Sequence, residues 1–496
     1  MPGAETGRVR VAAAEDGTVR VSVVRGGGSG TPGSAPGRAV LDVAGALLTW
    51  PVLAPPGLPD AEIHDPGRAQ QWLWAVYGED VAGAVESAAT TGWAGHAGPT
   101  GADGSTEADG STGAGPTDGA DAAVEVPVGS LGAGRDETLA RAAERDGALA
   151  RAAGRLAFGH WAARWWPASY LDGIPALEPD LLGLELAALT HTCQQLFDDV
   201  EDQPDADAAE LIDVHADALG PLLRWWRSAP PGSATAGRLD AVLRLIDDAA
   251  DGAGLDGEAV RALRAALESR GTAGEPLEPA PAAGVGGLFA RGRDYALAAG
   301  ELRSAGGRLI ARGTGTNDWR RYPPGFVDAA EHAVTWTASA VGAERRIEVD
   351  VVADGSAPAT DVRLAAEVDV NGRPAHRVLL ARRDDLWTGR AEVDLPDGGT
   401  PRVEVGVLMP GFDPGPGHGP GQGPEREPST RADRDAVRAL ARRRLAEAEG
   451  AGAEQVSGRA LEGTGEWASE GTGEDHEPFL PFLAEIAAAA SAEEDF

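Results

Sequence analysis

Apolar and polar residues alternate from Arg8 to Val24 (RVRVAAAEDGTVRVSVV), with Asp16-Gly17 near the midpoint. A period of two marks a half-buried strand, and Asp-Gly favours a tight primed turn, so this stretch predicts a β-hairpin. Residues 38–56 (RAVLDVAGALLTWPVLAPP) continue as extended structure and stop at Pro55-Pro56. The period then lengthens: Trp72, Val76, Val81 and Val85 recur at helical spacing and predict a helix over residues 67–89. Residues 1–92 therefore read as a small α/β module. Residues 93–136 hold Gly, Ala, Thr, Asp and Ser with few large apolar groups. Such a segment buries too little surface to offset chain ordering and reads as a disordered linker.

Residues 137–270 read as an α-helical bundle. ETLARAAERDGALARAAGRLAFGHWAARWW carries good helix formers and stops at Pro167; a second helix begins after Pro179, with Leu182, Leu186, Leu189, Cys193, Leu196 and Val200 on one stripe. ADAAELIDVHADALGPLLRWW, AGRLDAVLRLIDDAAD and DGEAVRALRAALESRG supply the rest, with Gly271 as a C-cap. A Pro-rich linker spans 271–285. Over 286–410 an entry loop leads into strands (RRIEVDVVADG, DVRLAAEVDVNG, HRVLLARRDDLWTGRAEVDLPDGG, RVEVGVLMPG) punctuated by Asp-Gly and Asn-Gly. These predict an antiparallel β-sandwich of immunoglobulin-like size, one face buried along Ile347, Val349 and Val351 and one wet along Glu348 and Asp350. A Gly/Pro linker (411–430), a basic helix (431–449) and a disordered tail with a short C-terminal helix (450–496) complete an α+β multidomain chain. The basic helix, with Arg431, Arg434, Arg438, Arg442, Arg443 and Arg444, suits docking against the chain's own acidic body or an acidic partner.

Composition changes this picture by exclusion. The net charge is −35 over 496 residues, which repels phosphate backbones and anionic lipid heads and argues against nucleic-acid binding. All 43 basic residues are Arg. A chain without Lys forms no Schiff base and has no Walker-A or kinase lysine. A single cysteine, Cys193, excludes an internal disulfide and a multi-cysteine zinc site. No run of eighteen apolar residues occurs, so no membrane insertion is expected, and the N-terminus lacks the pattern of a signal peptide. The expected location is the cytoplasm.

Candidate chemistry is sparse. Asp198, Asp199 and Asp202 form one D-D-x-x-D pattern, and Asp247, Asp248 and Asp251 form another, both in or at the ends of predicted helices. Residues three and four apart share a helix face, and clustered carboxylates hold Mg²⁺ through oxygen ligands. The pattern resembles the metal-binding motifs of the prenyl-diphosphate synthases. That resemblance implies a helical, Mg-dependent enzyme that handles a diphosphate, with these six Asp residues as metal ligands. The bland reading is an acidic helix end beside a solvated loop, and the stripe Leu239, Val242, Leu243 and Ile246 sends the second cluster mostly towards solvent. His191 and Cys193 lie two apart and point to different faces, so they make no thiol–imidazole pair.

The segment Asn317, Asp318, Trp319, Arg320, Arg321, Tyr322 gathers aromatics, guanidinium groups and one of two Asn residues ahead of Pro323-Pro324, which keeps it non-helical. It is the preferred binding surface; its other reading is a loop that plugs the end of the sandwich. Trp336 and Trp387 would serve a third reading, glycan binding by stacking, but their phase in the strands points them inward. With no assembled set of reactive groups, the leading expectation is a non-enzymatic interaction or scaffold protein whose partners are other proteins; the Mg-dependent enzyme is the alternative.

Overall fold

The structure, a computed structural model, describes residues 8–14, 16–24, 35–54, 57–94, 137–141, 147–197, 205–272, 288, 308–355, 357, 363–373, 376–395, 401–412, 428–457 and 480–494. The linker expected at 93–136 lies almost wholly outside them, as do most of the linkers after 271 and 411. Helices and antiparallel sheets are both present, in two compact units.

The first unit comprises residues 1–28, 42–48 and 59–147. Its strands are β1 (Arg8–Ala13), β2 (Val19–Val23), the inner parts of β3 (Arg38–Val43) and β4 (Ala46–Pro51), β5 (Asp60–Ile63) and β6 (Glu137–Arg141), in the sheet order β3-β4-β5-β2-β1-β6. The hairpin at Asp16-Gly17 forms with Val11 opposite Val21, and the Asp16 carboxylate accepts from the Thr18 N–H and hydroxyl. Helix α1 (Pro66–Tyr77) is capped by Asp65, which accepts the Arg68 N–H at 3.1 Å. Its Trp72 and Tyr77 are buried, and each polar tip finds a carbonyl: Ala44 at 2.9 Å and Pro59 at 3.0 Å.

Two local expectations differ here. The helix expected over 67–89 is two helices, because Gly78 takes φ = +93°, a conformation that turns the chain before α2 (Glu79–Ala94). Residues 137–141, expected as helix, pair as β6 along the open edge of β1. An unfilled ladder outweighs the weak helical preference of ETLAR, and the helix begins only after Gly147.

The second unit holds residues 29–41, 49–58 and 148–496. Its helices are α3 (Ala148–Trp165), α4 (Pro179–Thr192), α5 (Ala206–Val214), α6 (Leu219–Ser228), α7 (Ala234–Gly252), α8 (Glu258–Thr272), α9 (Pro428–Ser457) and α10 (Leu483–Glu494). Helix α4 is apolar nearly all round, and Leu181, Leu182, Leu184, Leu186 and Ala187 are all buried; such a helix belongs at the centre of a bundle. The expected stripe stops early: α4 ends at Thr192 and Cys193 caps it.

Seven antiparallel strands form one sheet in the order β13-β10-β11-β12-β9-β8-β7: β7 (Arg308–Thr314), β8 (Val334–Val341), β9 (Glu344–Val352), β10 (Leu364–Val370), β11 (His376–Arg383), β12 (Leu386–Glu392) and β13 (Val403–Leu408). The sheet curls until its two ends meet: the Thr316 N–H, just past β7, donates to Val405 O on β13 at 2.7 Å. Gly315 makes that approach possible, since a Cβ there would lie 2.5 Å from Val334 Cγ1 and 2.7 Å from Val405 O. Ile347, Val349 and Val351 fill the inner face, and Asn371-Gly372, both at positive φ, make the β10–β11 turn. No helix among the described residues is long and apolar enough to cross a membrane.

Candidate functional site

The segment from Asn317 to Tyr322 is where the curled sheet, α3 and α9 meet. Asn317 is completely buried: its amide donates to Asp328 O and Ala330 O, both at 2.8 Å, and its carbonyl accepts from the Tyr322 hydroxyl. Burial pushes the Tyr322 phenol well above its usual range. Asp318 takes a two-pronged bond from Arg320, 2.8 Å to each oxygen; burial works against its ionisation, yet the Arg320 bonds and charge hold its carboxyl below the usual carboxylate range. Trp319 is buried with the Arg438 guanidinium over its ring. Arg164 of α3 donates to the Trp319 and Tyr322 carbonyls at 3.2 Å. Arg321 bonds Glu367 of β10 at 2.5 Å. Each of the six residues singled out from sequence is thus engaged within the unit, with Arg320 and Arg321 the most open to solvent.

Asp328, twelve positions past Thr316, anchors the same junction. Its carboxylate accepts from Ser169 Oγ at 2.7 Å, the Ala330 N–H at 2.9 Å and the Leu171 N–H at 3.3 Å, and burial raises its pKa against those bonds. Helix α9 closes the junction: Arg434 grips Glu331 with Nε at 2.5 Å and Nη2 at 3.1 Å, and Arg438 reaches Glu331, Ala329 O and Asp435. The basic helix therefore docks on its own body.

A second charged cluster lies in the helical core. Glu185 stands in the apolar run of α4 and is fully buried; its carboxylate caps α10, accepting the Leu483 N–H at 2.8 Å and the Ala484 N–H at 3.0 Å. Burial raises its pKa; Arg155 (Nη2 at 3.7 Å), the two N–H bonds and Arg238 oppose that. Glu485 takes both prongs of Arg444, at 2.8 and 2.6 Å, and reaches back to the Phe482 N–H at 2.6 Å. Phe482 is stacked near Phe158, with Arg155 over its ring. The C-terminal helix is thus seated in a groove of the bundle by its capped N-terminus, and residues 481–489 are buried on every side.

The carboxylate motifs separate. Asp198, Asp199 and Asp202 lie outside the described residues. Asp247 and Asp251 share one guanidinium, Arg264, at 3.2 and 3.4 Å, and Asp248 is exposed. A cation already stands between two of the three supposed ligands, so this cluster does not fit a dication. Among the described residues no three His, Cys, Asp or Glu side chains are grouped to hold a metal. His191 bonds Asp205 at 2.6 Å and His215 bonds Asp180 at 3.0 Å. Beside the first pair, Thr190, Gln194, Phe197 and Asp205 line a cavity of about 10 Å³, the room of a single water. Cys193 is buried, and its thiol is pushed up to about 12, which makes it inert as a nucleophile. Trp336 and Trp387 are 7% and 1% exposed, so neither presents a face for a sugar.

Comparisons with protein families, with curated proteins and with solved structures give no match to this chain.

The sequence pattern assigned no role to Glu185, Arg155, Arg238 or Glu485, and it placed Arg444 only within the basic helix. Two signals were present: a lone acid inside LLGLELAAL, and Glu485 three residues after Phe482, the spacing of a reach-back cap.

Proposed function

We propose that this chain is a non-enzymatic, cytoplasmic interaction or scaffold protein whose helical domain, set beside a sheet of immunoglobulin-like size, holds short helices presented by other proteins. The seating of residues 481–489 carries the reading. A helix is held there by charge at its first turn and by apolar side chains on every face, so the groove is shaped to take a short apolar helix by its capped end. The described acids at the junction are engaged in structural bonds, the buried Asp318 with Arg320 and the half-buried Glu331 with Arg434 and Arg438, which favours surfaces rather than reactive groups as the working part.

The test uses the full-length chain with a protease site placed between residues 458 and 479, cut after folding. The tail fragment is expected to stay bound through gel filtration and to exchange with a labelled peptide of residues 477–496, while the Glu485→Ala peptide fails to exchange. A tail that cannot be replaced by its own peptide, or one replaced equally well by the Glu485→Ala form, refutes the groove as a recognition site.

A further inference from the structure

A helix opens on four backbone N–H groups that its own turns leave without partners. The tail helix α10 has all four satisfied, and only half of that comes from its own residues. The Phe482 N–H donates to Glu485 Oε2 at 2.6 Å, and the Glu485 N–H donates to Phe482 O at 3.1 Å. The Leu483 and Ala484 N–H groups donate to Glu185 of α4, at 2.8 and 3.0 Å. A helix usually finds those acceptors on a Ser, Thr, Asp or Asn just before its first residue. Phe482 stands there and has no polar side chain, so the groove supplies the missing half of the cap. The Phe482 side chain contributes a buried ring instead. It lies 6.2 Å from the Phe158 ring and nearly parallel to it, with the Arg155 guanidinium 5.0 Å from its centre. Gly159 keeps that space open, since a Cβ there would stand 2.4 Å from Leu186 Cδ2 and 3.1 Å from Phe482 Cζ. Behind the first turn, Ala484, Ala487, Ala488 and Ala489 are all buried where α10 packs on α9 and α4, and longer side chains at these points would overfill the contact.

These contacts read a residue pattern and not merely a helix. Resting on the groove as a recognition site, we propose that its partners are protein segments that run Phe, two apolar residues, Glu and then small apolar residues, and that lack a cap of their own. Phe158, Gly159 and Arg155 read the ring. Arg444 reads the Glu through two bonds, at 2.8 and 2.6 Å. Glu185 reads the two uncapped N–H groups, and α4 and α9 admit only small side chains behind them. So short a segment does not hold a helix in water; it folds as it binds, and Glu185 holds its first turn together. A helix that brings its own Asp or Ser cap forfeits the ring and sets a second acceptor against the Glu185 carboxylate, so the groove discriminates against it. The chain's own tail is the resident copy of the pattern and competes with every partner.

The experiment uses the full-length chain cut after folding between residues 458 and 479, with labelled peptides of residues 477–496 competing for the groove. Three altered peptides leave the folded chain untouched. Phe482→Ser gains a cap of its own and loses the ring. Glu485→Gln keeps an oxygen for the Phe482 N–H and loses the charge that Arg444 grips. The third carries an ester in place of the peptide bond between Leu483 and Ala484, which removes one donor to Glu185 and no side chain. Each is expected to displace the tail at least about tenfold less well than the parent peptide, although Phe482→Ser should be the most helical when free, by circular dichroism. If the parent peptide displaces the tail and any of the three does so equally well, the pattern is overturned while the groove stands as a recognition site. If the parent peptide itself fails to displace the tail, the groove reading falls and the pattern with it.

Discussion

The bond between Arg444 and Glu485 can be dissected with two substitutions, because the surrounding charge predicts an asymmetry. Both side chains are nearly completely buried, and the pair makes two hydrogen bonds. Removing one member of a buried pair costs about 3–5 kcal/mol, whereas replacing both by apolar residues of similar volume is often neutral. Among the described residues, Glu485→Leu leaves Arg155, Arg238 and Arg444 with Glu185 as the carboxylate of the cluster, and it also uncaps the Phe482 N–H, which adds roughly 1 kcal/mol. Arg444→Met leaves Glu485 in the field of Arg155 and Arg238, with two guanidinium groups and two carboxylates among the described residues of the cluster. Glu485→Leu should therefore sit at or above the upper end of that range and Arg444→Met at or below the lower end. The double variant should recover to within about 1 kcal/mol of the parent. Urea unfolding followed by tryptophan fluorescence gives the global values, and hydrogen exchange of residues 483–489 shows whether the tail opens before the rest. Glu485→Gln separates capping from charge, since its amide oxygen can still accept from Phe482. The reasoning is refuted if Arg444→Met costs more than Glu485→Leu, or if the double variant is as unstable as the sum of the singles.

Three further outcomes follow from the junction and the core. Asp318 ionises more readily folded than unfolded, so its contribution is present above the ordinary value of 3.8 and is lost as pH falls through the lower, folded value; Asp318→Asn should flatten the acid limb of a stability–pH profile in that window, and an unchanged limb would contradict the assignment. Asn317→Ala strands two carbonyls and the Tyr322 hydroxyl in a dry site, so chemical denaturation should show a loss of at least about 3 kcal/mol; a loss under about 1 kcal/mol would mean that the site is hydrated. The Cys193 thiol, buried and pushed up to about 12, should react with a thiol reagent at pH 8 only at the rate at which the bundle opens, so labelling should accelerate with urea in step with unfolding; fast labelling in native buffer would show a solvent path that the packing excludes.

Periodicity exposed most of the elements and few of their partners. The hairpin at Asp16-Gly17, helices α7 and α8 and the alternation of β9 were legible because their patterns are local, whereas the single helix expected over residues 206–226 is two, α5 and α6, parted at residues 215–218. The break at Gly78 was not, because a single glycine within a helical pattern is usually tolerated, and only its positive φ shows that this one turns the chain. Strand β6 was hidden for the opposite reason: ETLAR has no strand pattern of its own and is extended because β1 offers a free edge. At the junction, the sequence picked out Asn317 and its neighbours by their unusual polarity, but that polarity could equally serve a surface or a plug. Only the carbonyls of Asp328 and Ala330, more than ten residues away, show where the Asn317 amide goes.

The basic helix shows most clearly what helical phase adds to a reading of charge. Six arginines between 431 and 444 suit either the chain's own acidic body or an acidic partner, and they divide by helical angle. At about 100° per residue, Val437, Ala441, Leu445 and Ala448 run down the centre of a stripe, and all are buried. Arg438 lies about 40° to one side of Arg434 and Arg444 about 80° to the other, so these two mark the edges of a stripe roughly 120° wide, the width of an ordinary core-facing surface. Arg431, Arg442 and Arg443 fall outside it and are exposed. One edge meets Glu331 at the mouth of the curled sheet and the other meets Glu485 on the tail. The two edges therefore couple the sheet junction to the tail groove through one rigid helix, and a perturbation at Glu331 should register in hydrogen exchange of the tail before it registers in the strands.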